Sequence, residues 1–166
     1  TDEIWIRNGV RVNAHKYHQK HGGWIFRQAL PLCAMSPSSL VLHRDVFEAI
    51  GLFDECLPAC EDYDLFLRLT CRFEVLYLEQ KLTIKYGGHE DQLSRAHPAM
   101  DRFRVTSLDR ILRDSKAPLS EQDRDEAIRV LLKKARIVRG GAEKRGNSEL
   151  AESMQELIAQ WDKGRE

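Results

Sequence analysis

Five carboxylates crowd into one short stretch of this chain: Asp54, Glu55, Glu61, Asp62 and Asp64. They fall between two apolar elements, in a loop that leads into the start of a helix. Carboxylates at a helix N-terminus meet free N–H groups and the positive end of the helix dipole, each worth about 0.3–1 kcal/mol. A lone Glu-Asp there is a capping device. Two adjacent carboxylates beside aromatic residues also suit general-base work, because one can hold a proton while the other stays charged. Glu61 and Asp62, followed by Tyr63, are the pair with that chemistry.

Histidine offers two further readings. His15, His18 and His21 recur every third residue, but among Arg11, Lys16 and Lys20. That setting favours a solvated basic loop over an anion-contacting one, and both over a metal site. His89 follows Gly87-Gly88. Glycines allow close backbone approach, so a histidine just past them can reach a metal or a phosphate; a surface turn is the plainer reading. The cysteines, Cys33, Cys56, Cys60 and Cys71, form no Cys-x-x-Cys pair. Cys56 and Cys60 lack a second pair at matching spacing, so a zinc ribbon is not expected. Reduced thiols in a cytoplasmic protein are.

A chain of 166 residues is long enough for one domain, or one plus a small appendage. With 42% hydrophobic and 31% charged residues it fits a globular protein with a real core. Lys+Arg and Asp+Glu both number 26, and zero net charge argues against a generic binder of nucleic acid or anionic membrane. The apolar run over 29–35 is short and broken by Pro31, so no transmembrane helix is expected.

The elements that must position these residues are legible in the pattern. Asn8-Gly9 between Ile4-Trp5-Ile6-Arg7 and Val10-Arg11-Val12 predicts a hairpin, since both turn residues need positive φ. A polar, basic loop follows to Gly23. Residues 24–30 read as a short helix stopped by Pro31, and 39–43 as a strand. Residues 44–50 read as a helical turn or two, closed by Gly51. A helix is expected over about 62–72, then strands over 75–78 and 82–86, then the breaker Gly87-Gly88. Of the 13 aromatics only Phe103 and Trp161 follow Tyr86, whereas charge concentrates after residue 99. The tail is therefore a charged helical region. Its apolar stripes run through Met100 to Leu112, Ile128 to Val138 and Leu150 to Trp161, with Ser120 as an N-cap. Gly140-Gly141 and Gly146-Asn147 punctuate it, and the last two helices form an αα-hairpin. Stripes of this kind pack on neighbours and are not cofactor boxes.

Several segments taken in order resemble a family 2 glycosyltransferase. They are Ser36-Pro37-Ser38-Ser39, His43-Arg44, Val46-Phe47, then Gly51-Leu52-Phe53-Asp54-Glu55. Next come Leu57-Pro58, Glu61-Asp62-Tyr63-Asp64-Leu65 with Leu67-Arg68, and Tyr86-Gly87-Gly88-His89. The string from Gly51 to Arg68 is the most specific. Ile6-Arg7-Asn8-Gly9 and Gly22-Gly23-Trp24-Ile25-Phe26 resemble the stretch that precedes it. The resemblance covers about residues 1–95 and leaves the tail outside.

The resemblance implies an α/β class, as an α+β fragment of the nucleotide-diphospho-sugar transferase fold over 1–97. A helical extension over 98–166 completes the chain. It implies an inverting, metal-dependent transfer from a nucleotide-diphosphate sugar to a glycan or lipid-linked hydroxyl. The family's metal-holding Asp-x-Asp precedes the acidic signature and has no counterpart here, since Asp62-x-Asp64 belongs to the signature itself. The chain, which opens on Thr1 directly in a strand pattern, therefore reads as the acceptor-side, C-terminal half, inactive alone and prone to self-association. Carried over by position, Asp62 is the general base with Glu61 beside it. His89 contacts the divalent cation (magnesium or manganese) or the diphosphate, with the main metal carboxylates in the N-terminal half. Trp24, Ser38, Ser39, Tyr63 and Arg68 fall where substrate contacts belong; the residues binding the cofactor stay unassigned. The alternative is a non-catalytic module that binds a glycan or a protein partner, in which Trp5, Trp24, Tyr63 and Phe66 serve as stacking surfaces.

Overall fold

A computed structural model describes residues 1–13, 16–87 and 99–163. The chain divides into two compact units, Thr1–Pro98 and Ala99–Glu166. The first is mixed α/β around a small sheet; the second is helical.

The first unit opens with β1 (Asp2–Arg7) and β2 (Val10–Val12), joined by the expected hairpin. Asn8 and Gly9 have φ of 50° and 76°, the pair of positive values that a tight twisted turn demands. The third strand, β3 (Lys81–Gly87), lies parallel to β1, giving the order β2-β1-β3. Parallel neighbours need a long crossover. Here it carries α1 (Phe26–Ala29), α2 (Arg44–Ile50) and α3 (Glu61–Thr70). Helix α3 touches both α1 and α2 and is buried nearly all round, from Tyr63 to Leu67 without a break. Leu65, Phe66 and Leu69 join Ile50 of α2 in the core, with Cys33, Met35, Leu40 and Phe47 against them.

Two expected strands are absent. Residues 39–43 form no ladder. Pro37 starts a 3-10 turn, Pro37–Ser39, in which Ser39 N–H bonds back to Ser36 O at 3.0 Å. Leu40 and Leu42 then point into the core, Val41 stays 95% exposed, and His43 caps α2. Burial alternates along these residues as it would in a strand, but none of them is fully buried and no ladder forms. Residues 75–78 contribute one isolated bridge, in which Val75 and Gly23 exchange backbone bonds of 2.8 and 3.0 Å. Gly22 permits that approach, because a Cβ there would lie 3.1 Å from both Val75 O and Tyr77 Cβ. The helix expected over 24–30 is the single turn of α1 and leaves Trp24 outside it.

The second unit contains α4 (Asp101–Arg113), α5 (Glu121–Lys144) and α6 (Ser148–Trp161), with α5 packed on both others. Ser120 Oγ accepts from Asp123 N–H at 3.1 Å and starts α5 as expected. Gly140-Gly141 do not punctuate: α5 runs straight through them. The stop comes at Gly146, with φ of 69°. Its N–H bonds to Glu143 O at 3.1 Å and Asn147 N–H to Ala142 O at 3.0 Å, the two bonds of a Schellman motif. Lys134 of α5 and Arg104 both pair with Asp101, at 2.8 and 2.9 Å, and tie down the start of α4. No described helix is long and apolar enough to cross a membrane.

Candidate functional site

The acidic signature sits where the chain turns into α3. Asp54 Oδ1 accepts from Cys56 N–H at 2.8 Å and closes the turn that follows α2. Cys60 then adopts φ 65° and ψ 22°, a left-handed conformation that costs a non-glycine residue about 1–2 kcal/mol. That reversal drops the chain into α3 with Glu61 and Asp62 as its first two residues. Cys60 supplies no side-chain cap, so the carboxylates of the first turn carry the negative charge that the helix start favours. Glu61 and Asp62 are only half-buried, whereas the five residues after them are buried.

Asp62 is held on both oxygens. Oδ1 accepts from Tyr63 N–H at 2.7 Å, and the Cys33 thiol lies 3.3 Å from Oδ2. Asp64, 6% exposed, faces the other way and pairs with Arg68 at 2.8 Å. Arg68 also donates to the Ile50 and Leu52 carbonyls, which clamps the end of α2 to α3. Gly51, between those carbonyls, has φ 78° and ψ 179°, a backbone state reserved for glycine.

The other expected contacts scatter. Tyr63 is 1% exposed, and its hydroxyl donates to Leu30 O at 2.6 Å. It is a core post joining α1 to α3, with no ring surface left for a sugar. Arg68 is likewise committed to the clamp. Both sit in the signature string but on the inward side of the helix, a distinction that spacing alone hides. Trp24 is 63% exposed and keeps a free stacking surface. Ser38 is exposed and accepts from Thr83 Oγ1 through its carbonyl at 3.4 Å. Ser39 Oγ accepts from Lys20 Nζ at 2.8 Å and belongs to a separate polar network. His89 and His15 lie outside the described residues. Among the described residues no three His, Cys, Asp or Glu side chains converge as a group that could hold a metal ion.

That network escaped the sequence reading. Glu3, 8% exposed, pairs with Lys20 at 3.1 Å and accepts from Trp5 Nε1 at 2.9 Å. Burial pushes its carboxyl up, but hydrogen bonds from Trp5, Lys20 and Ser36 and the Lys20 charge outweigh it and hold the pKa at about 2. Lys85 donates to Ser36 Oγ at 3.0 Å and lies 5.8 Å over the Trp5 ring. Beside it, where β1 and β3 end, a cleft of about 100 Å³ is lined by Trp5, Arg7, Lys85 and Tyr86 among others. Asp62 is not part of that cleft. The faint sequence signal was Glu3 and Trp5 alternating on one face of a strand, with a basic loop downstream.

Compared with family models, with curated proteins and with solved structures, the chain gives no match.

Proposed function

We propose that this chain is the acceptor-side, C-terminal part of an inverting, metal-dependent glycosyltransferase of the family 2 kind. Its donor is a nucleotide-diphosphate sugar and its acceptor a hydroxyl on a glycan or lipid-linked molecule. The sheet and crossover helices of the first unit then belong to a nucleotide-sugar fold completed by a second half. The observation that carries the reading is the accessible Glu61-Asp62 pair at the head of an otherwise buried helix, within the signature string from Gly51 to Arg68.

In this reading Asp62 takes the proton of the acceptor hydroxyl as its oxygen attacks the anomeric carbon. Attack from the face opposite the diphosphate inverts that centre. Glu61 keeps the charge of the site negative while Asp62 is protonated. Trp24 offers its exposed ring to the acceptor sugar. Tyr63 and Arg68 act only by holding α3 in place. A divalent cation, when bound, neutralises the leaving diphosphate, and its ligands fall to residues other than those described.

The test is Asp62→Asn in a protein that joins this chain to its nucleotide-binding half. Transfer is expected to fall by about 10²–10⁴-fold with nucleotide-sugar binding intact. Asn can accept from Tyr63 N–H as Asp does, so the melting temperature is expected to fall only by what one carboxylate contributes at the helix start. Normal transfer by Asp62→Asn would overturn the catalytic assignment. Absence of transfer by the joined parent protein would instead leave a non-catalytic glycan-binding or protein-interaction module in its place.

A further inference from the structure

We propose that Cys33 is a positioning residue for the Asp62 carboxylate, donating its S–H to Oδ2. The inference rests on the general-base reading of Asp62 and deepens it. Cys33 enters from the segment between α1 and the 3-10 turn, far from Asp62 in sequence. Its Sγ lies 3.3 Å from Asp62 Oδ2 and 3.3 Å from Met35 O. A thiol has one proton and so serves one of these acceptors at a time. A carboxylate, being charged, accepts the stronger bond than a neutral carbonyl.

With Oδ1 on Tyr63 N–H and Oδ2 on the thiol, both torsions of the Asp62 side chain are fixed. A base fixed in this way presents its remaining lone pairs in one direction before the acceptor arrives, and misplacement of a reacting group is costly in rate. Sulfur suits the position because Cys33 also packs against the apolar cluster of Ile50, Leu65, Phe66 and Leu69. The contact has a second consequence that needs no catalysis. The carboxylate 3.3 Å from Sγ repels the thiolate that electrophiles need, so removing that charge is expected to make Cys33 more reactive.

Both consequences are measurable. The chain is treated with iodoacetamide and alkylation is followed peptide by peptide, with exposed Cys56 as internal reference. Asp62→Asn is expected to speed Cys33 alkylation severalfold relative to Cys56. In the complete transferase, Cys33→Ala is expected to lower kcat about tenfold with KM little changed. Cys33→Ser, which keeps a donor, is expected to recover most of that loss. An unchanged Cys33 alkylation rate in Asp62→Asn overturns the contact. Equal kcat in wild type, Cys33→Ala and Cys33→Ser overturns the positioning role while Asp62 remains the base. Full transfer by Asp62→Asn overturns the base reading itself, and with it the positioning role, whatever the alkylation shows. Should Cys33→Ala fail to fold, Cys33→Val, which removes the donor but keeps apolar volume against the cluster, takes its place beside Cys33→Ser.

Discussion

Arg68 brings the Asp64 carboxylate together with the carbonyls of Ile50 and Leu52. Removing its side chain leaves Asp64 charged, 6% exposed and without its guanidinium. Breaking a buried pair on one side is strongly destabilising, and Arg68 is itself partly exposed, so Arg68→Ala is expected to cost ~2–4 kcal/mol. Arg68→Lys is expected to recover less than half, because one ammonium cannot span three acceptors set in a fork. Urea unfolding of the three proteins checks this; a loss below ~1 kcal/mol in Arg68→Ala would mean that the clamp is dispensable.

Glu3 sets the acid limit of the first unit. Its folded pKa, about 2, lies below the ordinary 4.5, so the charged form is favoured by folding. The stability it contributes is present above pH 4.5 and drains away as pH falls from 4.5 towards 2, amounting to about 3 kcal/mol in full. Asp101, lowered by Lys134 and Arg104 against the burial that raises it, acts in the same direction in the helical unit. Glu3→Gln is expected to be less stable than the parent at pH 7 and to approach it as pH drops to about 2.5. Melting temperatures across pH 2.5–7 would show parallel curves if Glu3 were irrelevant.

Elements were more legible than their ends. The hairpin, α2 with its terminal Gly51, α3, β3 and the three tail helices all follow from local rules: turn chemistry, a capping serine, period-3.6 stripes. Residues 39–43 and 75–78 show where local rules stop. Both are short apolar runs of the kind strands use, but a strand also needs a neighbour with free backbone groups, and only tertiary placement supplies one. The candidate site was legible to the same depth. Spacing picked out Glu61 and Asp62, but not that Tyr63 and Arg68 turn inward or that Cys33 reaches Asp62 from another element.

Gly140-Gly141 make the same point in reverse. Glycine weakens a helix by roughly 0.5–1 kcal/mol, yet α5 continues because Val138 and Ala142 bury their side chains on either side of the pair. A Cβ on Gly140 would meet nothing within 4 Å. Gly140→Ala is therefore expected to raise stability by about 0.5–1 kcal/mol. At Gly141 the added Cβ would come 3.0 Å from the Arg145 guanidinium and gain less. Thermal melts of the two variants rank them; a destabilised Gly140→Ala would show that the pair serves a bend after all.

At the scale of the molecule, the two units differ in how well each closes its own core. In residues 99–166, Leu108, Leu112, Leu131, Ala135 and Ile158 are buried. The polar ties, Lys134 to Asp101 at 2.8 Å and Trp161 Nε1 to Asp109 at 2.7 Å, also stay inside the unit. Domains of about 60 residues can fold alone, and this one needs nothing from residues 1–98 among those contacts. The first unit is less complete. The pairing of Ile4 with Ile84 and Ile6 with Tyr86 puts these side chains on one face of the sheet, opposite Glu3, Trp5 and Lys85. On that face Leu82, Ile84 and Tyr86 are 70%, 50% and 61% exposed. An apolar sheet face of this kind drives association. Expressed separately, residues 99–166 are expected to give a helical far-UV spectrum, a cooperative melt and a monomer by sedimentation. Residues 1–98 are expected to self-associate at micromolar concentration, and Ile84→Lys, which charges the middle of the face without touching the Glu3 network, to shift them towards monomer. A monomeric 1–98 fragment would show that its sheet face is tolerated in water. A 99–166 fragment that melts without cooperativity would show that the helices rely on residues 1–98 for their packing.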